Sequence, residues 1–179
     1  MKSCRAELIR EEKGLSINEH TNKKYTHIAC KVITISDTRT EADDKSGKMI
    51  IDLLEAAGHH AVSYVIIKDE KTEIQRELTD SAAVEAIILN GGTGISERDV
   101  TIEAVKPLLT KEISGFGELF RMLSYTEDIG PAAMLSRAIA GTLGRRVVFA
   151  MPGSTGAVKL GMKKLVLPEL THIVSELHK

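Results

Sequence analysis

Val84-Glu85-Ala86-Ile87-Ile88-Leu89-Asn90-Gly91-Gly92-Thr93-Gly94 is the stretch on which the reading of this chain turns. The short apolar run Val84–Leu89 predicts a strand covered on both faces, as parallel sheets require. It gives way at once to a glycine-bearing loop, Asn90–Asp99, and then to a helix expected over Thr101–Leu109, which Pro107 ends or kinks. A buried strand, a bare loop and a helix in that order make half of a βαβ unit.

The same alternation extends in both directions. Upstream, Ile28–Ile35 is rich in β-branched residues and predicts a first strand. In Ser46–Ala57, Ile50, Leu54 and Ala57 fall on one helical face, and Gly58 stands where a left-handed stop is wanted. His60–Lys68 reads as a second strand and Thr72–Ser81 as a second helix. Downstream, Glu118–Tyr125 and Pro131–Ala140 read as short helices. Val147–Met151 reads as another buried strand, with helices from Thr155 and from Pro168 to Leu177. Strands alternating with helices predict an α/β fold, a three-layer α/β/α sandwich with a mostly parallel central sheet. In such sheets ligands sit beyond the carboxyl ends of the strands.

The loops after strands are therefore the places to look for chemistry. In Gly91-Gly92-Thr93-Gly94 the lack of side chains lets backbone N–H groups approach an anion closely. A Walker A loop would need Lys-Ser or Lys-Thr after its last glycine, and Ile95-Ser96 stands there. The dinucleotide fingerprint would need a small residue where Glu97 stands. A nucleotide could still bind, but by a different loop. The second loop is Met151-Pro152-Gly153-Ser154-Thr155-Gly156, in which Pro152 fixes its own φ and Gly153 permits a positive one. Ser154 also reads as a simple helix N-cap.

Three carboxylates follow strands on the same side: Asp37, Asp69 and Asp99. Magnesium takes one or two carboxylates together with phosphate oxygens and water, a need that Asp69 and Asp99 meet if the fold brings them together. Each also reads as a helix cap. The histidines (His20, His27, His59, His60, His172 and His178) show no metal-ligand spacing, and the His59-His60 pair reads as solvated turn. No serine or cysteine lies in a Gly-x-Ser-x-Gly elbow, which argues against a hydrolase with a covalent intermediate.

Composition narrows the class further. A chain of 179 residues suits one domain, expected over residues 25–179, behind a charged arm over residues 1–24 that is flexible or packs on a neighbouring subunit. A net charge of −1 gives no reason to expect nucleic acid as a partner. No run of 18 apolar residues predicts a membrane span. Cys4 and Cys30 make neither a disulfide framework nor a zinc site. These features predict a cytoplasmic protein.

Taken in order, the motifs resemble one family. Ile35-Ser36-Asp37-Thr38 with Asp44-Lys45-Ser46-Gly47, Lys68-Asp69-Glu70, Gly91-Gly92-Thr93-Gly94, Arg98-Asp99-Val100-Thr101, Gly115-Phe116-Gly117-Glu118, Leu135-Ser136-Arg137 and Met151-Pro152-Gly153-Ser154 are similar to those of the MoaB/MogA family. The resemblance runs from about residue 28 to 175, leans to the MoaB branch, and extends to the related domain of gephyrin. It implies a trimer or hexamer that binds molybdopterin, the pterin precursor of the molybdenum cofactor. It implies AMP transfer from ATP, with Mg²⁺, to the terminal phosphate of that pterin, and a molybdate-insertion partner of MoeA type. Asp69 and Asp99 align with the family's catalytic, magnesium-holding aspartates. Ser36, Asp37, Gly91, Gly92, Thr93, Gly94, Ser136, Pro152, Gly153 and Ser154 would contact the substrates. A non-catalytic pterin-binding or scaffold role stays open beside it. A nicotinamide oxidoreductase is disfavoured by Glu97 and by the lack of a recognisably placed catalytic His or Tyr.

Overall fold

Along each central strand the apolar side chains alternate between two cores, as the two-residue repeat of a pleated strand dictates. In a computed structural model, which describes residues 25–80 and 83–179, β1 spans Ala29–Ile35 and β2 His60–Ile67. β3 spans Ala86–Asn90 and β6 Arg146–Met151. Cys30, Val32, Ala86, Ile88, Val147 and Phe149 face one core, with Ile50, Leu54, Phe120, Val158 and Val174 across from them. Ile33, Ile35, Ile87, Leu89, Val148 and Ala150 face the other, with Ile74, Leu78, Ala104 and Val105. Helices α1 (Lys45–Ala56), α4 (Ser114–Glu127), α5 (Thr155–Gly161) and α6 (Leu167–Leu177) cover the first face. Helices α2 (Lys71–Thr79) and α3 (Thr101–Val105) cover the second. The three-layer α/β/α sandwich is the expected one.

With β4 over Lys111–Glu112 and β5 over Ile139–Leu143, the strand order is β2-β1-β3-β6-β5-β4. β2, β1, β3 and β6 run parallel. The chain leaves β1 for β2 on one side and returns to β3 on the other, so the order reverses at β1. The crevice where ligands bind in such sheets therefore opens at the carboxyl ends of β1 and β3.

Several expectations are corrected. Pro131–Ala140 is not one helix: a 3-10 turn covers Gly130–Leu135, and β5, Ile139–Leu143, follows it. β5 pairs antiparallel with β6, and the two-residue β4, Lys111–Glu112, pairs antiparallel with β5. Gly141 allows that pairing, because a Cβ there would stand 2.4 Å from the Lys111 carbonyl oxygen. His59 is not solvated: it is 4 % exposed, and its Nδ1 accepts the Ile28 amide at 3.3 Å. Burial, then the charges of His27 and His60, hold its pKa below the usual histidine value.

Other readings hold. Gly58 ends α1 at φ 83°. At Pro107 the α3 helix tightens into a 3-10 turn, Lys106–Leu108. Cys30 is fully buried, and burial pushes its thiol up to about 12. Lys31, the one charge in β1, is 1 % exposed; its Nζ donates to the Glu77 carbonyl at 2.9 Å and pairs with the Glu77 carboxylate at 2.9 Å. A buried charge is tolerated only when paired in this way. The arm over residues 1–24, Cys4, His20, and the expected end of the second helix at Ser81 lie outside the described residues. No helix among the described residues is long and apolar enough to cross a membrane.

Candidate functional site

The first glycine loop leaves β3 through two consecutive left-handed residues, Gly91 at φ 102° and Gly92 at φ 59°. Only glycine adopts this without strain. Space demands glycine as well: a Cβ on Gly91 would stand 2.2 Å from the Ile35 carbonyl oxygen, where β1 ends. The loop is then tied down by backbone. The Gly91 amide donates to Met151 O at 3.1 Å, and the Thr101 amide and hydroxyl donate to Gly92 O and Gly91 O at 3.0 and 2.9 Å. Thr101, absent from the expected site residues, is thus the post against which the turn is built.

Both expected acids lie against this turn. A Cβ on Gly92 would stand 2.5 Å from Asp69 Oδ2, and one on Gly94 2.6 Å from Asp99 Oδ2. The bare backbone is what lets the carboxylates come in. Asp69 arrives from the end of β2 and accepts the Val100 amide at 3.2 Å. Asp99 accepts the Ser96 amide at 3.0 Å, closing its own loop. Their proton affinities are pushed apart. Burial, helped by the charges of Asp99 and Asp37, raises the Asp69 pKa against the Val100 hydrogen bond. At Asp99 burial also pushes upward, but hydrogen bonds from Ser96 and Gly94, with the charge of Arg137, leave it lowered. The two carboxyls on this turn thus differ in how firmly they hold a proton.

The loop after β1 completes this edge. Asp37 pairs with Arg98 and accepts the Asp69 amide at 3.3 Å. The Arg98 hydrogen bond holds its carboxyl below the usual carboxylate range. Ser36 Oγ accepts the amides of Thr38 and Arg39 at 3.3 and 3.2 Å.

The second loop, after β6, lies beside the first, since β6 pairs with β3. A Cβ on Gly153 would stand 3.0 Å from Gly91 Cα. Gly153 has no positive φ, contrary to expectation; its lack of a side chain serves this close approach instead. Ser154 Oγ accepts the Ala157 amide at 3.2 Å, so the N-cap reading of Ser154 holds.

Beneath the edge runs a polar network that the motifs contained but their chemistry did not announce. Asp44 caps α1 and is wholly buried. Its carboxylate accepts the Thr34 hydroxyl at 2.5 Å, the Tyr64 hydroxyl at 2.7 Å and the Gly47 amide at 3.0 Å. The single proton of Ser46 can serve Asp44 Oδ1 at 2.8 Å or Asn90 Oδ1 at 2.9 Å. Asn90 in turn donates to Thr34 at 2.9 Å. Leaving such a carboxylate unpartnered would cost several kcal/mol. Burial pushes its pKa up, but the Gly47, Thr34, Tyr64 and Ser46 donors prevail and hold it below the usual range. Arg39 joins the network from the surface.

Ser136 is not seen to reach the loops; its amide donates to Ala133 O at 3.0 Å. Its neighbour Arg137 does, donating to Thr93 O at 2.9 Å and Asp99 O at 3.1 Å while paired with Glu103. In the sequence Arg137 stands only as the last residue of Leu135-Ser136-Arg137, with nothing local to give it a role. Two clefts, of about 450 and 390 Å³, lie around α4, α5 and α6 and touch neither acid. The carboxylates and glycine loops converge instead at the carboxyl ends of the central strands β1, β3 and β6.

Residues 31–172 match the family described as a probable molybdopterin binding domain. The chain is 58% identical over 168 residues to molybdenum cofactor biosynthesis protein B of Bacillus cereus, covering 92% of this chain and 99% of that one. A crystal structure of a molybdenum cofactor biosynthesis protein B superposes with a TM-score of 0.83 at 61% identity, covering 85% of this chain and 96% of the other. The tungsten cofactor synthesizing protein MoaB from Pyrococcus furiosus does so with a TM-score of 0.77 at 42% identity, over 86% and 98%.

Proposed function

The chain belongs to the family of molybdenum cofactor biosynthesis protein B, and on that premise we propose that it binds molybdopterin and transfers AMP from ATP to the pterin's terminal phosphate. One observation carries the reading: Asp69 and Asp99 lie against Gly92 and Gly94 of the same turn. The donor set fits magnesium, which takes hard oxygen ligands and needs only one or two carboxylates beside phosphate and water. The raised proton affinity of Asp69 fits too, since a cation between the two acids relieves the repulsion that contributes to it. Asp69 and Asp99 would hold the ion. When bound, it supplies the positive charge that lets two anionic phosphates approach.

The nucleophile belongs to the substrate. An oxygen of the pterin's terminal phosphate attacks the α-phosphorus of ATP, the bond from that phosphorus to the bridging oxygen breaks, and pyrophosphate leaves with the bonding pair. No protein group need gain or lose a proton. The residues of this chain align and screen: the Gly91–Gly94 loop seats phosphate oxygens with its Gly92 and Thr93 amides, since those of Gly91 and Gly94 serve Met151 O and Asp99, Ser36 and Asp37 line the neighbouring strand end, and the Pro152–Gly153–Ser154 loop bounds the other side.

The working form we propose is a homotrimer or homohexamer that hands its product to a molybdate-insertion enzyme. Support for self-association comes from an exposed apolar group on and after α4: Leu119, Met122, Tyr125, Ile129, Met134 and Leu135, with Met134 80% exposed. Leu119, Met122 and Tyr125 recur at helical spacing on α4, and exposed apolar surface that is contiguous marks interaction sites.

The test is pyrophosphate release with molybdopterin, ATP and Mg²⁺. Asp69→Ala or Asp99→Ala is expected to abolish release while pterin binding, measured by isothermal titration, largely survives. Normal turnover in both variants would overturn the assignment. Pterin binding without pyrophosphate from the unaltered chain would make it a non-catalytic pterin-binding or scaffold protein.

A further inference from the structure

The proposed transfer needs two loops at a fixed spacing, and one of them has no left-handed glycine of its own to hold it. The Pro152–Gly153–Ser154 loop is tied at its far end by the Ser154 cap on α5. Its near end is tied by a residue 114 positions earlier: Arg39 Nη2 donates to the Gly153 carbonyl at 3.0 Å. The other terminal nitrogen, Nη1, donates to Ser46 Oγ at 2.5 Å and reaches Asp44 Oδ1 at 3.4 Å. One prong of the fork is thus set in the buried network under β1, α1 and β3, and the other holds the loop after β6.

Charge does not explain this residue. Asp44 already has neutral donors at 2.5 to 3.0 Å, and the ion pair with Arg39 is longer than any of them. The Arg39 side chain is 34% exposed, so water screens the pair. What arginine offers and lysine lacks is a rigid planar fork that bonds two places at once. We infer that Arg39 is the positioning residue of the second loop, holding Gly153 against Gly91 so that the two loops form one continuous seat for the pterin and the nucleotide. The kinetic consequence rests on the proposed AMP transfer; the geometric one stands without it.

Arg39→Ala and Arg39→Lys, made in the full chain, separate the two. Hydrogen exchange is followed at the Ala157 and Val158 amides, which donate to Ser154 Oγ and O, against the Thr101 amide, which donates to Gly92 O. Both variants are expected to speed exchange at Ala157 and Val158 and to leave Thr101 unchanged. Pyrophosphate release should fall on the order of 100-fold in kcat/KM, as for a slightly misplaced substrate seat. Millimolar guanidinium should restore part of it in Arg39→Ala, which it would not do for a merely destabilised fold. Arg39→Lys indistinguishable from the unaltered chain would overturn the inference. So would unchanged loop exchange in Arg39→Ala, or a loss that follows Tm and resists guanidinium. If the unaltered chain itself releases no pyrophosphate, the AMP-transfer reading fails while the exchange comparison still decides the role of Arg39.

Discussion

The two glycine loops leave neighbouring parallel strands and stand side by side, yet they are held in opposite ways. Gly91–Gly94 is fixed by conformation: two left-handed residues and backbone hydrogen bonds shape it, and carboxylates fill the space where its side chains would be. Pro152–Ser154 has no left-handed residue and is fixed by side chains instead, Arg39 from outside at Gly153 and the loop's own Ser154 capping α5. The difference teaches that glycine in a ligand loop has two separate uses. In the first loop it permits a dihedral; in the second it permits proximity.

That contrast can be broken by substitution, with effects in descending order. Gly91→Ala should be the most damaging. It combines the left-handed penalty of roughly 1–2 kcal/mol with a collision against fixed backbone at Ile35. A loss of about 3 kcal/mol or more from the two together is expected in urea unfolding. Gly153→Ala meets no dihedral penalty, only the 3.0 Å contact with Gly91 Cα. It should cost about 1–3 kcal/mol, as overpacking does. If Gly153→Ala proved the worse of the two, the distinction between dihedral and proximity would be wrong. Ser154→Ala removes one cap and should cost about 1 kcal/mol. A near-zero change there would mean that Arg39 alone fixes the second loop, which sharpens the contrast further.

The parallel half of the fold was legible because its strands are buried on both faces, so their apolar runs stand out unbroken, as in Ile87–Leu89 and Val147–Ala150. The antiparallel edge was not. Pro131-Ala132-Ala133-Met134-Leu135 carries a helix-start proline and good helix formers, and nothing local says that it stops at a 3-10 turn. β4, at two residues, is too short for any repeat to show. Within the candidate site, Asp69, Asp99 and the glycine loops could be found because they follow recognisable strands. Arg39, Asp44 and Thr101 could not, since burial and long-range pairing decide their roles. Asp43 and Asp44 are adjacent identical residues, one exposed and one wholly buried, and only the packing of α1 on the sheet tells them apart. His59 and His60 make the same point at the other end of the strands.

Tyr25, the first described residue, rests its ring 5.1 Å from that of His178 at the close of α6. The approach to β1 and the close of α6 therefore share one corner. The seven residues of β1, at about 3.3 Å each, put that corner roughly 20 Å from the ligand edge. A label attached at that corner would leave the two loops undisturbed.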